Sequence, residues 1–301
     1  MRQSTVVIAG LLLLGAIACN TGVESVPPIT DRDVTRSTGR LPERQHSSLT
    51  PYADSIALWQ PGKAFHVVND RARLILEPQP AGTLAGTTLH FLRFDEQPAI
   101  DKPSILIVIL QDSLGNTFRY NTERPRDAVS HLTIPFLIDL DMVSHYNSLL
   151  AGKRFYILTR EWRDETTKQP LDGRLFIPVV INSVEPGNEV YPLRVIFTDP
   201  ATEERAMIWV MTDETTSVSH RNFDSQFAPD DPRTNYRYIR DDAWQCIIDG
   251  RVKQGMTREE CRLALGQPRD IVRLPDYGGL HEHWYYDGGR VLRFSDGILD
   301  P

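Results

Sequence analysis

Residues 255–268, GMTREECRLALGQP, contain both the start signal and the stop signal of a short helix. Thr257 and Glu260 have the spacing of a capping box, in which each side chain satisfies a backbone N–H that the helix leaves free. Gly266 suits the position that follows a helix end, and Pro268 prevents the helix from continuing. The stretch therefore predicts a helix between Thr257 and Gly266.

The segments on either side predict one small domain around this helix. Asp241 or Asp242 is the predicted N-cap of an earlier helix, which ends at Gly250. After the capped helix, an aromatic strand, an Asp-Gly-Gly turn and a second strand are expected at 281–286, 287–289 and 290–294. The order helix, helix, antiparallel sheet predicts a two-layer αα-βββ domain over residues 241–301.

These C-terminal residues resemble a known family. Gly255-Met256-Thr257, the Leu-Gly-x-Pro of 265–268, the aromatic strand at 284–286 and the closing Asp296-Gly297 are similar to the SmpA/OmlA domain, also called BamE-like. That family consists of small lipoproteins of the bacterial outer membrane, one of which is an accessory of the β-barrel assembly machinery. The resemblance covers residues 241–301 and implies protein interaction or envelope assembly.

The region before this domain is predicted to be rich in β-strands, which makes the fold class α+β. Short apolar or alternating runs are separated by turn residues, a pattern that is typical of strands. The clearest runs are 104–111, 116–120, 154–159, 175–184, 193–198 and 206–211. We expect one or two small SH3-like or sandwich modules, over 51–135 and 136–215, followed by a linker over 216–240. One helix is predicted over 142–150, with Asp141 as its cap.

A weak repeat marks the strand entries in this region. Gly62-Lys63-x-Phe65, Gly86-Thr87-x-Leu89 and Gly152-Lys153-x-Phe155 share a glycine, a polar residue and an apolar step into a strand. Glycine is common at strand entries, so coincidence and a true duplication both explain the pattern. A true duplication would make the two modules related.

The N-terminus has the layout of an export signal. Arg2 is followed by an apolar stretch over 6–18 that is too short to span a bilayer as a helix, and then by Cys19. Ala16-Ile17-Ala18 suits an ordinary signal peptidase, and it also resembles the lipobox of bacterial lipoproteins, which places the lipid on Cys19. We expect a signal peptide over 1–18, a lipid anchor on Cys19 and a polar, proline-containing flexible tether over 19–50.

Composition and charge narrow the classes of partner. The formal net charge is −7, with no run of lysines or arginines, which argues against nucleic-acid binding. The pattern instead indicates a protein anchored in the bacterial cell envelope, most simply at the outer membrane.

Cys246 and Cys261 form the sharpest candidate pair. They are equidistant from the midpoint of the predicted helical hairpin, and an exported chain meets an oxidising compartment, so a disulfide is expected. The alternative is two buried free thiols that pack as small apolar groups.

Other candidate groups have simpler explanations. His281 and His283 share one side of a predicted strand, but with the cysteines they fit no zinc-finger spacing, so they are better explained as surface residues. Asp139, Asp141 and Glu161 are the candidate carboxylate pair of a glycosidase, yet Asp141 is already explained as a helix cap. The motifs of hydrolases, P-loops and dinucleotide-binding folds are absent from the sequence, which predicts no enzyme, no cofactor and no metal.

Tryptophan suggests a second function. Trp162, in the charged setting Arg-Glu-Trp-Arg-Asp of 160–164, is the best candidate for an exposed glycan-stacking side chain, although tryptophans more often fill small cores.

The sequence thus predicts a non-catalytic envelope lipoprotein that binds envelope proteins through residues 241–301. The alternative is a cell-wall or glycan-binding lipoprotein that uses the β modules.

Overall fold

The computed structural model describes residues 49–99, 102–212, 221–276 and 279–301. In these residues the chain forms three antiparallel sheets with short helices between them, so the mixed α+β class is confirmed. The helices are α1 (Leu140–Leu150), α2 (Phe223–Gln226), α3 (Asp241–Ile248) and α4 (Arg258–Leu265). Single 3₁₀ turns are at Ile56–Leu58, Asp70–Leu74, Arg126–Ala128, Pro232–Tyr236 and Asp287–Gly289.

The first sheet has six strands. They are β1 (Ala64–Val67), β2 (Leu76–Glu77), β3 (Thr88–Ala99), β4 (Lys102–Gln111), β5 (Thr117–Pro125) and β6 (Leu137–Asp139). Their order across the sheet is β2-β5-β4-β3-β1-β6. Since β6 pairs with β1, this sheet extends beyond the predicted module end at residue 135.

The second sheet also has six strands. They are β7 (Arg154–Ile157), β8 (Arg163–Asp164), β9 (Pro178–Pro186), β10 (Leu193–Thr198), β11 (Arg205–Val210) and β12 (Phe227–Ala228). Their order is β12-β7-β9-β10-β11-β8. The expected linker over 216–240 is corrected in its described part, because Phe223 and Phe227 are buried in the core of this sheet.

The two sheets have the same connectivity. Read from the edge formed by the sixth strand, each sheet places its strands in the order sixth, first, third, fourth, fifth, second. The hydrogen bonds agree residue by residue. The N–H of Gly62 donates to the carbonyl of Phe91, and that of Gly152 donates to the carbonyl of Ile181. The repeat expected from Gly62 and Gly152 is therefore present in the fold, whereas Gly86 leads into β3 and starts no repeat of its own.

The third sheet belongs to the C-terminal domain. Its strands are β13 (Asp270–Asp276), β14 (Gly279–Tyr285), β15 (Val291–Ser295) and β16 (Ile298–Leu299), in the order β13-β14-β15-β16. Ala243, Ile247 and Cys261 of the two helices share one core with Trp284 and Phe294 of the sheet. In the described residues two helices therefore share a core with a four-stranded sheet, whereas the sequence predicts three strands.

Three helix starts show where local signals succeeded and where they failed. Thr257 and Glu260 form the predicted capping box, and Gly266 has a φ of 82° at the end of α4. Asp139, rather than Asp141, caps α1 by accepting a bond from the N–H of Asp141. The N-cap of α3 is Arg240 without a side-chain bond, because both predicted aspartates lie in the first turn, where their charges favour the helix dipole.

Candidate functional site

The outer face of the C-terminal sheet, opposite the helices, carries an unusual concentration of exposed apolar side chains. Four of the nine large apolar side chains that are exposed in the described residues lie there. They are Val272, Leu274, Val291 and Ile298, which are 37%, 46%, 43% and 44% exposed. The register places them among polar residues, because Leu274, His281, Ser295 and Ile298 form one cross-strand row and Val272, His283 and Arg293 form the next. We call these seven residues with Tyr285 and Val291 the outer face.

The outer face carries polar groups as well. The Nδ1 atom of His281 lies 3.1 Å from Oγ of Ser295, and that hydroxyl donates to Oδ2 of Asp300 at 3.1 Å. His281 and His283 face away from the two cysteines, which lie on the helical side of the sheet. Among the described residues no group of three His, Cys, Asp or Glu side chains is arranged to bind a metal ion.

The register of the sheet is fixed from the inner face by a buried carboxylate. Oε1 of Glu282 accepts from Nη1 of Arg258 at 2.9 Å and from Nε of Arg273 at 3.2 Å, and Oε2 accepts from Nε1 of Trp284 at 2.9 Å. Burial raises the pKa of Glu282, but the Trp284 hydrogen bond and the two arginines outweigh this and hold it below the usual value. A slip by one residue would move this charge to the outer face, so the cluster stabilises the observed pairing.

The helical side of the C-terminal domain is fastened to the second sheet by Arg160 in the loop between β7 and β8 and by Phe176 in the loop that precedes β9. Nη1 of Arg160 donates to the carbonyls of Gly173 at 3.0 Å and Ile248 at 2.7 Å, and Nη2 donates to the carbonyl of Ile247. The carbonyls of Ile247 and Ile248 at the C-terminal end of α3 also accept from the N–H groups of Gly250 and Leu175, so Arg160 adds a second donor to each of them. The ring of Phe176 stacks on Trp244 of the same helix, with 5.3 Å between centroids and 14° between planes.

A groove of about 890 Å³ runs along this junction. Most of its charged side chains are already paired: Arg174 with Asp199, Arg251 with Asp249, and Glu161 with Arg221. The groove therefore has fewer charged side chains that could bind a ligand than its lining suggests.

The three candidate carboxylates do not form one site. Asp139 and Asp141 both bind the buried ammonium group of Lys63, at 2.6 and 3.1 Å, whereas Glu161 pairs with Arg221 at the second sheet. The interpretation as a glycosidase pair is therefore wrong, because two of the groups neutralise one cation and the third lies on another sheet.

Lys63 also contacts Tyr52 and Asp54, which precede the first strand, and so connects this segment to the first sheet. Its Nζ donates to the hydroxyl of Tyr52 at 3.1 Å and lies 3.7 Å from Oδ1 of Asp54. Burial lowers the pKa of Lys63, but its hydrogen bonds to Asp139 and Tyr52 outweigh burial and raise it above the usual value. Burial raises the pKa of Asp54, because it disfavours the charged carboxylate, although the ammonium group of Lys63 opposes this shift.

Trp162 is not an exposed binding residue. Its side chain is 1% exposed, its Nε1 donates to the carbonyl of Thr159 at 2.9 Å, and its ring meets Phe197 edge-on at 5.1 Å. Gly173 is packed so closely that an added Cβ would lie 2.5 Å from the ring. Of the other tryptophans, Trp59, Trp244 and Trp284 are buried and Trp209 is half-buried, so the expected tryptophan platform for glycan is not formed.

The cysteines of the C-terminal domain are both free thiols in the structure, without the expected disulfide. Cys261 is buried in the core between helices and sheet, and Cys246 is half-buried at its margin. Burial raises the pKa of the Cys261 thiol to about 12. The arrangement is that of the alternative, in which both thiols pack as small apolar groups.

Strand β13 is the part of the site that sequence reasoning missed. The sequence places the first strand after the capped helix at 281–286, yet Asp270–Asp276 is already a strand and pairs along its whole length with β14. The alternation of Asp270, Ile271, Val272, Arg273 and Leu274 is a strand signal in retrospect. It was hidden by the proline and glycines that follow it, which are typical of loops.

The predicted signal peptide, Cys19 and most of the tether lie outside the described residues. In the part of the chain that the structure describes, no helix has the length and apolar character needed to cross a membrane. No protein-family model matches the chain, and no curated protein or solved structure matches it either.

Proposed function

We propose that this chain is a non-catalytic lipoprotein of the bacterial cell envelope whose C-terminal domain binds another envelope protein through the outer face. The observation that carries the proposal is that four of the nine exposed large apolar side chains of the described residues share one sheet face with His281, His283, Tyr285 and Arg293. Apolar side chains mixed with aromatic and arginine side chains are typical of protein interfaces. In this proposal the lipid on Cys19 anchors the chain at the outer membrane.

The finer structural assignments belong to the same proposal. We assign residues 241–301 to an SmpA/OmlA-like domain on the strength of their sequence motifs, which the order of two helices and an antiparallel sheet supports. We assign the two repeated sheets to SH3-like modules. Binding of cell-wall glycan by these modules is the competing function, and it has lost the exposed tryptophan on which it depended.

Site-specific photocrosslinking in the intact, anchored chain tests the proposal. A photoreactive phenylalanine analogue replaces Val291 on the outer face and, as the control, Leu114 at a hairpin tip; both positions are exposed and apolar. We expect a discrete protein adduct from position 291, none from position 114, and loss of the adduct when Ile298→Lys is added. Equal adducts at both positions, or retention of the chain on isolated cell wall without any protein adduct, would contradict protein binding by this face.

A further inference from the structure

The free edge of the C-terminal sheet differs from every other sheet edge in the described residues. The remaining edge strands, β2, β6, β8, β12 and β16, are two or three residues long. Strand β13 has seven residues. Folded proteins usually shorten, bend or cover their edges, because unpaired backbone groups along a strand are a template for another chain. Strand β13 is thus the longest edge strand in the described residues, and Pro275, which has no N–H to donate, limits the free donors to its first five residues.

The side chains of β13 strengthen the argument. Asp270, Val272, Arg273 and Leu274 are exposed, and two of these are large and apolar. Val272 and Leu274 belong to the outer face, so a strand added beside β13 would extend that face and cover both side chains. The edge therefore offers backbone hydrogen bonds and apolar contacts to the same incoming segment.

We propose that β13 binds an extended segment of a partner protein, which adds to the sheet antiparallel as a fifth strand. This inference rests on the proposed function and specifies the partner segment: apolar residues opposite Val272 and Leu274, and an acidic residue opposite Arg273. The Arg273 side chain is 64% exposed, so its bond to Glu282 leaves it accessible to a second carboxylate.

Charge also distinguishes a partner from a second copy of this chain. If two copies paired along all seven residues, Arg273 would face Arg273, and Asp270 would face Asp276. Like charges directly opposite each other destabilise a strand pair. A segment with an acidic centre and basic ends fits the same register without repulsion.

The test uses a synthetic peptide and the full-length chain. The peptide Lys-Thr-Val-Glu-Val-Thr-Lys, capped at both ends, places its glutamate opposite Arg273, its valines opposite Val272 and Leu274, and its lysines opposite Asp270 and Asp276. We expect slower hydrogen exchange at the β13 amides when it binds. The same peptide with lysine at its centre should bind about fivefold more weakly, because an attractive cross-strand pair becomes a repulsive one.

Two variants separate side-chain recognition from misfolding. Arg273→Gln should reduce the discrimination between the two peptides to about onefold, while Leu114→Lys should leave peptide binding unchanged, because the exposed Leu114 lies in the turn between β4 and β5 of the first sheet. The thermal midpoint of each variant shows whether it is folded.

Three results would overturn the inference. They are peptide binding without slower exchange at the β13 amides that point away from β14, protection of those same amides that is already present without peptide, and protection of them that grows with the concentration of the chain alone. The last of these would identify a second copy as the occupant. None of them removes a crosslink formed from position 291, so the proposed function would survive. Loss of that crosslink with intact peptide binding would refute only the proposed function.

Discussion

Replacement of Lys63 by methionine should destabilise the fold more than any exposed lysine substitution. The Lys63 side chain is 5% exposed, and its Nζ lies within 4 Å of carboxylate oxygens from Asp54, Asp139 and Asp141. Methionine preserves the length of the side chain but leaves these carboxylates without their cation. Removal of one member of a buried ion pair costs about 3–5 kcal/mol, and we expect about 3 kcal/mol because Asp141 is 59% exposed.

The internal repeat supplies a matched control. Lys153 occupies the position in the second sheet that Lys63 occupies in the first, since the N–H groups of Phe91 and Ile181 donate to the carbonyls of Lys63 and Lys153 respectively. Lys153 is exposed, so Lys153→Met should change the free energy of unfolding by no more than about 0.5 kcal/mol. Urea unfolding measures both variants, and the Lys63 variant should also lose about 6–12 °C of thermal midpoint.

The dependence on pH provides a second measurement of the same cluster. A lysine whose pKa rises on folding stabilises the folded state fully below its unfolded value, 10.5, and this contribution disappears as the pH rises through the folded value. The difference between wild type and Lys63→Met should therefore stay constant from neutral pH to about 10.5 and shrink above it. A cost below about 1 kcal/mol, or a cost equal to that of Lys153→Met, would refute the assignment of a stabilising buried cation.

Three further substitutions or measurements test other parts of the structure. Phe176→Gly should cost about 2 kcal/mol, because the loss of ring packing exceeds the relief of backbone strain, and hydrogen exchange in α3 should accelerate. The thiol of Cys261, whose pKa rises from 9.0 to about 12, should be alkylated about a thousandfold more slowly in the folded chain than in urea, as followed by mass spectrometry. The carboxylate of Glu282 has a pKa below its usual value of 4.5, so it stabilises the fold above that pH and loses this effect as the pH falls. Glu282→Gln should cost about 2–3 kcal/mol near neutral pH. It should also weaken the decrease of the thermal midpoint that occurs as the pH is lowered.

Features that depend on neighbouring residues could be predicted from the sequence. The capping box of Thr257 and Glu260 is formed as expected, because its two hydrogen bonds close within one helical turn. The strand Leu193–Thr198 is predicted with its observed bounds, since turn residues flank a run that is mostly apolar and β-branched or aromatic. The glycine repeat was visible for the same reason, although only the common strand order shows that it reflects duplicated architecture.

Features that depend on distant residues could not be predicted. The charged neighbours of Trp162 suggested exposure, but its ring is covered by Phe197 and Gly173, which are far from it in sequence. Asp139 and Asp141 both looked like cap or catalytic residues, and the partner that explains them, Lys63, lies 76 positions before Asp139. In each case the deciding contact joins different elements, and a single sequence contains no measure of distance between them.

The internal repeat also identifies the layer of the C-terminal domain that contacts the second sheet. Phe176 occupies the place in the second sheet that Gly86 has in the first. The N–H of Phe176 donates to the carbonyl of Ile157, and the N–H of Gly86 donates to the carbonyl of Val67. The φ angle is 58° at Phe176 and 80° at Gly86. Glycine adopts this conformation freely, whereas a bulky residue is strained there. The strain at Phe176 is offset by its stacking on Trp244, which fastens the helical layer of the C-terminal domain to the second sheet. The helical layer is therefore the side that contacts the second sheet, and an isolated 241–301 fragment would expose both sides of the domain. Binding to the intact chain, rather than to that fragment, is therefore the measurement that reports on the outer face.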